Sequence, residues 1–159
     1  KRITIVLLIL ALTAAGAAAQ AQSPEITEDT EIWTGEPIVF EKEAGADPTL
    51  EANQDRLTDN VWITRGNRGG QIYNAVEEDQ ADQRQSPVGT LWAEGTTDDL
   101  PDLDFFPFRR ATRQPRSVPG KDFVMWLVED DIFIDVHFIS WDRQRQGGFS
   151  YRRSTPAEE

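Results

Sequence analysis

The stretch LVEDDIFIDVHFISW (127–141) gathers Glu129, Asp130, Asp131, Asp135 and the chain's single histidine, His137, among apolar residues. Carboxylates and an imidazole at these spacings could serve general acid–base hydrolysis, metal ligation, or hydrogen-bonded recognition of a polar ligand. Spacing argues against the first. An extended strand advances ~3.3 Å per residue, so Asp131 and Asp135 stand ~13 Å apart, whereas paired glycosidase carboxylates work at ~5–9.5 Å. Glu129 and Asp131 are nearer, at ~6.6 Å if extended, but they fall where a turn is expected, and carboxylates are common there for conformational reasons alone. His137 lies two residues from Asp135, yet no G-x-S-x-G motif supplies a nucleophile and one histidine cannot build a multi-histidine metal centre. Recognition is therefore the leading reading. A carbohydrate-active hydrolase using Glu129, Asp131 or Asp135 with His137 is the alternative, and a structural or assembly subunit of a cell-surface complex is a third.

Period-two alternation places Ile132, Ile134, Val136 and Phe138 on one face of this strand, and Asp131, Phe133, Asp135, His137, Ile139 and Trp141 on the other. The first face is core. The mixed face reads as half-solvated or ligand-facing. Phe133, Asp135, His137 and Trp141, with Tyr151 on the next strand, are the candidate ligand-binding residues. Trp141 is the platform on which a sugar would stack, with packing between sheets as its competing use.

A second constellation is ADPTLEANQDRLTDN (46–60), whose hard oxygen donors suit calcium; Asp47, Asn53, Asp55 and Asp59 are the candidate ligands. The EF-hand pattern and its turn glycine are missing, and Asx-turns and capping are the competing use of the same residues. No other cofactor is indicated. The one basic island is FPFRRATRQPRSVPGK, with no acid between Phe105 and Lys121, suited either to an anionic partner or to pairing with the acids just before it.

The elements that must hold these residues are short strands. EIWTGEPIVFEK (31–42) reads as an irregular or bulged first strand, because Pro37 belongs at an edge or a strand start. VWITR and QIYNA form a pair about GNRGG, GTLWAEG is a further strand, and KDFVMWLV, IFIDVHFISW and FSYRR close the chain. Phe123 to Val128 is apolar at nearly every position, as in a strand covered on both sides. The 25 residues from Thr96 to Gly120 form a loop of a length that is usually functional or packed down by its own side chains. No segment has the period of a substantial helix. The expectation is an all-β, antiparallel β-sandwich, jelly-roll-like, with long loops.

The chain opens with Lys1 and Arg2, an apolar run from Ile3 to Ala15, and small residues ending at Ala21, the layout of a signal peptide over 1–21. A flexible lead-in (22–31), a single domain (32–155) and a short tail (156–159) come after it. Export to the periplasm, cell surface or extracellular space is expected, with no membrane insertion after cleavage, the apolar run being shorter than the ~20 residues of a span. With no cysteine, the fold cannot rely on disulfides, and thiolate chemistry is excluded. The net charge of −12, which loss of Lys1 and Arg2 would take to −14, repels phosphate backbones, so nucleic acid is not an expected partner. A polysaccharide or a cell-surface protein is.

VWITRGN (61–67), SPVGTLWAEGT (86–96) and the closing FISW…GGFSYRRST resemble a recurrent uncharacterised β-domain of exported bacterial proteins, over Ile32 to Thr155. Trp141, Gly147, Gly148, Phe149, Tyr151 and Arg153 match its final hairpin. The resemblance implies an exported β-domain and supplies no activity, ligand or site residue. These observations together point to a secreted or surface-associated, non-catalytic binding or adhesion domain, polysaccharide-binding and calcium-assisted in its fullest form.

Overall fold

A computed structural model describes residues 20–158. The expected signal peptide lies outside these residues but for its last two positions. Among the described residues nine strands carry the fold: β1 (Glu31–Ile32), β2 (Gly35–Lys42), β3 (Asp55–Arg56), β4 (Trp62–Arg65), β5 (Ile72–Asn74), β6 (Thr90–Glu94), β7 (Asp122–Leu127), β8 (Ile132–Trp141) and β9 (Phe149–Thr155). The protein is all-β, as expected, with one five-residue helix, α1 (Phe108–Thr112), and short 3-10 turns among the described residues.

The large sheet runs β2-β9-β8-β7-β6, an antiparallel meander with β2 added at one edge; the small sheet is β3-β4-β5. β1 is the one parallel element among the described residues, pairing Glu31 and Ile32 with Ile132 and Phe133. It occupies the lane beside β8 that β9 vacates after pairing Arg153 with Val136. The lead-in is thereby tied down rather than loose. Gln22 exchanges backbone hydrogen bonds with Phe105, and the Thr30 hydroxyl donates to Asp131 Oδ2. The irregular first strand is also seen, as a register shift between Gly35 and Ile38.

Both faces of the large sheet are covered. On one, Phe123, Met125, Ile134, Val136, Phe138, Phe149 and Tyr151 pack against Leu57, Val61, Ile63 and Ile72 of the small sheet and its flanks. On the other, Val124 and Phe133 meet Ala93, Leu100 and Phe105 in a smaller core. This explains why β7 has no polar alternation: it is sandwiched twice.

The segment 96–120 does the covering. Thr96 and Asp99 form a capping box that starts a 3-10 turn at Thr97–Asp102. Phe106 then exchanges backbone hydrogen bonds with Trp92 at the β6 edge. Alternation about that edge sends Phe105 into the small core, edge-on to Trp126 and Phe133, and Phe108 into the main core against Trp92 and Phe138. Two aromatic anchors on opposite sides of the sheet so clamp the strand edge, and the chain beyond Phe108 is carried out over the end of the sandwich.

The sheets are cross-linked by one buried polar centre. Asp55 of β3 accepts from Arg153 Nη2 at 2.7 Å, from Arg153 Nε at 2.8 Å and from the Tyr151 hydroxyl at 2.7 Å. Fixed in this two-pronged geometry, the pair is fully hydrogen-bonded, the condition under which a buried ion pair is tolerated. Burial and the adjacent Asp55 carboxylate push the Tyr151 hydroxyl well above its ordinary value. For Arg153, burial pulls downward but the bonds and charge of Asp55 outweigh it, leaving the guanidinium above its usual value.

Candidate functional site

β8 does not keep its alternation to the end. Phe138 pairs with Tyr151 but Ser140 pairs with Ser150, so Ile139 is an extra residue with no partner across the ladder. Such a bulge reverses the parity beyond it. Trp141 is consequently opposite Phe149 on the core side, not on the mixed face with Phe133 and His137 where strict alternation puts it. Ile139 and Ser140 are exposed instead.

The candidate ligand-binding residues are therefore not one surface. Phe133 is wholly buried, stacked on Trp126 at 5.4 Å between ring centroids. Tyr151 is wholly buried on Asp55. Asp135 and His137 remain on the wetter face, in a cavity of about 390 Å³ shared with Asp122, Arg152 and Ser154. There Asp135 accepts from the Thr97 amide and hydroxyl, both at 2.8 Å, and so holds the start of the 3-10 turn. His137 Nδ1 donates to Asp122 Oδ1 at 2.7 Å across the β7–β8 pair. Asp131 accepts from Thr30 and from the Trp126 indole.

Nor are the four candidate calcium ligands brought together. Asp55 is committed to Arg153 and Tyr151 inside the sandwich. Asp47 caps its own turn, accepting from the Thr49 amide and hydroxyl, bonds that hold its carboxyl below the usual range. Asn53 donates to the Asp47 backbone carbonyl, and Asp59 is exposed. Among the described residues, no group of three or more acidic or histidine side chains could hold a metal ion. Turn chemistry, the competing reading of this loop, accounts for Asp47 and Asn53.

A larger concavity than the one holding Asp135 and His137 lies elsewhere. A cleft of about 1020 Å³ opens at one end of the sandwich between the β4–β5 turn, the β8–β9 turn and the segment from Arg109 to Ser117. Its arginines are Arg65, Arg68, Arg109, Arg116, Arg143 and Arg145. The sequence holds 13 arginines in all, so nearly half of them converge here in a chain of net charge −12. None of the six forms a salt bridge among the described residues.

Local chemistry explains this convergence. Gly147 sits at φ 75°, a left-handed conformation, and an added Cβ would collide with the Gly66 carbonyl, so two glycine-rich turns can approach backbone to backbone. Lys42, almost fully buried, ties them together, donating from Nζ to Asn67 Oδ1 at 2.8 Å and to the Gly147 carbonyl at 3.3 Å. Arg65 adds bonds to the carbonyls of Gly148 at 2.8 Å and Gly70 at 3.0 Å. Its guanidinium lies 3.9 Å from the centroid of the Trp141 ring, which is itself near-parallel to Phe108. Trp141 thus forms the base of the cleft beneath Arg65 and is only 8% exposed.

The two cations that tie the turns framing the cleft are electrostatically unusual. Lys42 and Arg65 are both buried, and their hydrogen bonds go to neutral oxygens rather than to carboxylates. Burial, together with the charge of Arg65, lowers the Lys42 pKa. Burial lowers Arg65 to about 10, countered in part by Asp142, and it stays cationic throughout the neutral range. Asp142 is the one carboxylate lining the cleft among the described residues, and it accepts from the Gln144 and Gln146 amides at 3.0 and 2.8 Å. Those bonds hold it ionised as a cap for its own turn. The rim arginines 68, 109, 116, 143 and 145 are exposed.

Reading the sequence locally found Arg109 and Arg116, within the basic island, but missed Arg65, Arg68, Arg143 and Arg145. Their signal was present in the two Gly-rich turns RGNRGG and RQRQGG, each pairing arginines with glycines that permit close approach. No family model matches the chain, and no curated protein or solved structure matches it significantly.

Proposed function

We propose that the protein is an exported, non-catalytic binding domain whose arginine-lined cleft takes an anionic ligand. One observation carries the reading: six arginines converge on one concavity of an otherwise acidic molecule, and the single carboxylate among them is occupied by backbone donors. Six cationic side chains set against one carboxylate keep a net positive charge in the cleft, so a partner that supplies negative charge is attracted and relieves their mutual repulsion. Guanidinium groups present fixed donor forks matched to carboxylate, sulfate and phosphate oxygens. Arg65, which lines the cleft, is held by bonds to backbone carbonyls of two turns that Lys42 also ties together, so this part of the site is formed before its ligand arrives, which lowers the ordering cost of binding. The N-terminal Lys-Arg, apolar run and small-residue sequence supports export.

Trp141 is a reporter built into the cleft floor. Titrating the purified protein with citrate and with poly-glutamate, while following tryptophan fluorescence and melting temperature at low salt, is expected to give a saturable response that weakens at high salt. A neutral disaccharide is expected to give none. Absence of any response to either anion would sink the proposal.

A further inference from the structure

Resting on that reading, we infer that the cleft's ligand is an acidic polysaccharide, a chain bearing carboxylate or sulfate groups among hydroxyls. Capacity comes first. At about 1020 Å³ the cleft matches the upper end of the ~300–1,000 Å³ of sites for extended organic ligands, far beyond the need of one inorganic anion. Five exposed arginines on its rim, contributed by three separate segments, provide charge along a path rather than at a point.

The rest of the lining selects the polymer. Gln83, Gln114 and Ser117 add neutral groups that both donate and accept, the complement of sugar hydroxyls. Protein partners are anchored by aromatic and arginine side chains in fully desolvated pockets, whereas five of the six arginines here stand exposed on the rim. Here the apolar side chains are Pro115 and Trp141, and Trp141 is covered by Arg65. Single-stranded nucleic acids require open aromatic faces for their bases, and the only aromatic ring lining this cleft among the described residues carries a guanidinium on its face. A long phosphate backbone would also meet the net charge of −12 beyond the cleft. The same covering of Trp141 means that the sugar is gripped by charge and hydrogen bonds, with no ring stacking.

The test compares polygalacturonate, dextran sulfate, neutral dextran, poly-glutamate and a single-stranded oligonucleotide, each titrated into the purified protein by calorimetry. Saturable binding to polygalacturonate or dextran sulfate, at least ~10-fold tighter than to the other three and weakened ~10-fold or more between about 50 and 200 mM salt, is expected. The stronger of the two tells carboxylate from sulfate. Two paired variants, Arg109→Gln with Arg116→Gln and Arg143→Gln with Arg145→Gln, are each expected to weaken that binding ~10-fold or more with unchanged melting temperature, because all four side chains are exposed. Arg152→Gln, outside the cleft, should leave it unaltered. Binding to poly-glutamate or to the oligonucleotide that equals or exceeds binding to both acidic polysaccharides would overturn this inference while leaving an anion-binding cleft. So would acidic-polysaccharide binding that survives both paired variants. Failure of every anion would overturn the cleft reading as well.

Discussion

Two arginines are buried among the described residues, and they are treated in opposite ways. Arg153 is 7% exposed and grips Asp55 through two nitrogens, so its charge is cancelled where it stands. Arg65 is 3% exposed, bonds to carbonyls of Gly70 and Gly148, and lies on an indole face, so its charge is accommodated but not cancelled. The first arrangement joins two sheets. The second keeps a positive field at the base of a cleft. A buried cation signals function less by its burial than by what is missing around it.

The largest effect expected from breaking this comparison is at the neutralised centre. Asp55→Ala leaves Arg153 buried without a counter-charge and Tyr151 without an acceptor, and such uncompensated pairs cost ~3–5 kcal/mol. For a domain of this size the melting temperature should fall by ~10–20 °C in thermal unfolding. Arg65→Met removes a charge that forms no salt bridge, so the stability loss should be ~1–2 kcal/mol, from the ring contact and the carbonyl bonds. Anion binding, by contrast, should fall steeply. If Arg65→Met destabilised as much as Asp55→Ala, the distinction between the two arginines would collapse.

Tyr151→Phe sharpens the first half of the comparison. It keeps the ring and removes one donor to Asp55, at a cost of ~1–2 kcal/mol near neutral pH. The pH dependence has a definite sign. A tyrosine whose pKa is raised on folding contributes stability that is fully present below its unfolded value of ~10 and is lost as pH rises through the folded value. The stability advantage of the wild type over Tyr151→Phe should therefore shrink above about pH 10, as measured by denaturant unfolding at stepped pH. The smallest effect concerns calcium. With Asp55 committed to Arg153 and Asp47 to its own turn, millimolar calcium should leave the melting temperature unchanged. A saturable rise would restore the acidic loop as a metal site.

Much of the fold was legible from local pattern. Alternating and continuous apolar runs located the strands of the sandwich except β3, which falls within the acidic stretch read as turn chemistry, and the missing helical period excluded a substantial helix. Aromatic density in 105–108 indicated that the long loop was packed down, although not that Phe105 and Phe108 enter different cores. The parity of Trp141 was not legible. Nothing in IFIDVHFISW marks Ile139 as surplus, because a bulge is defined by how many residues the partner strand offers opposite, and β9 offers one too few.

The sequence by itself determined composition, strand-forming periodicity and turn chemistry, because these depend on each residue and its near neighbours. It therefore decided that the protein is β, that its core is aromatic and that its glycine-rich turns are tight. Only the tertiary structure decided which charges meet. Asp55 and Arg153 stand nearly a hundred residues apart, and the six cleft arginines come from three distant segments. Coulomb energy depends on distance in space and on the surrounding dielectric, neither of which is written in local order. That is why the acidic loop that looked like a metal site became a structural cross-link, and why arginines scattered through an acidic chain became its candidate binding site.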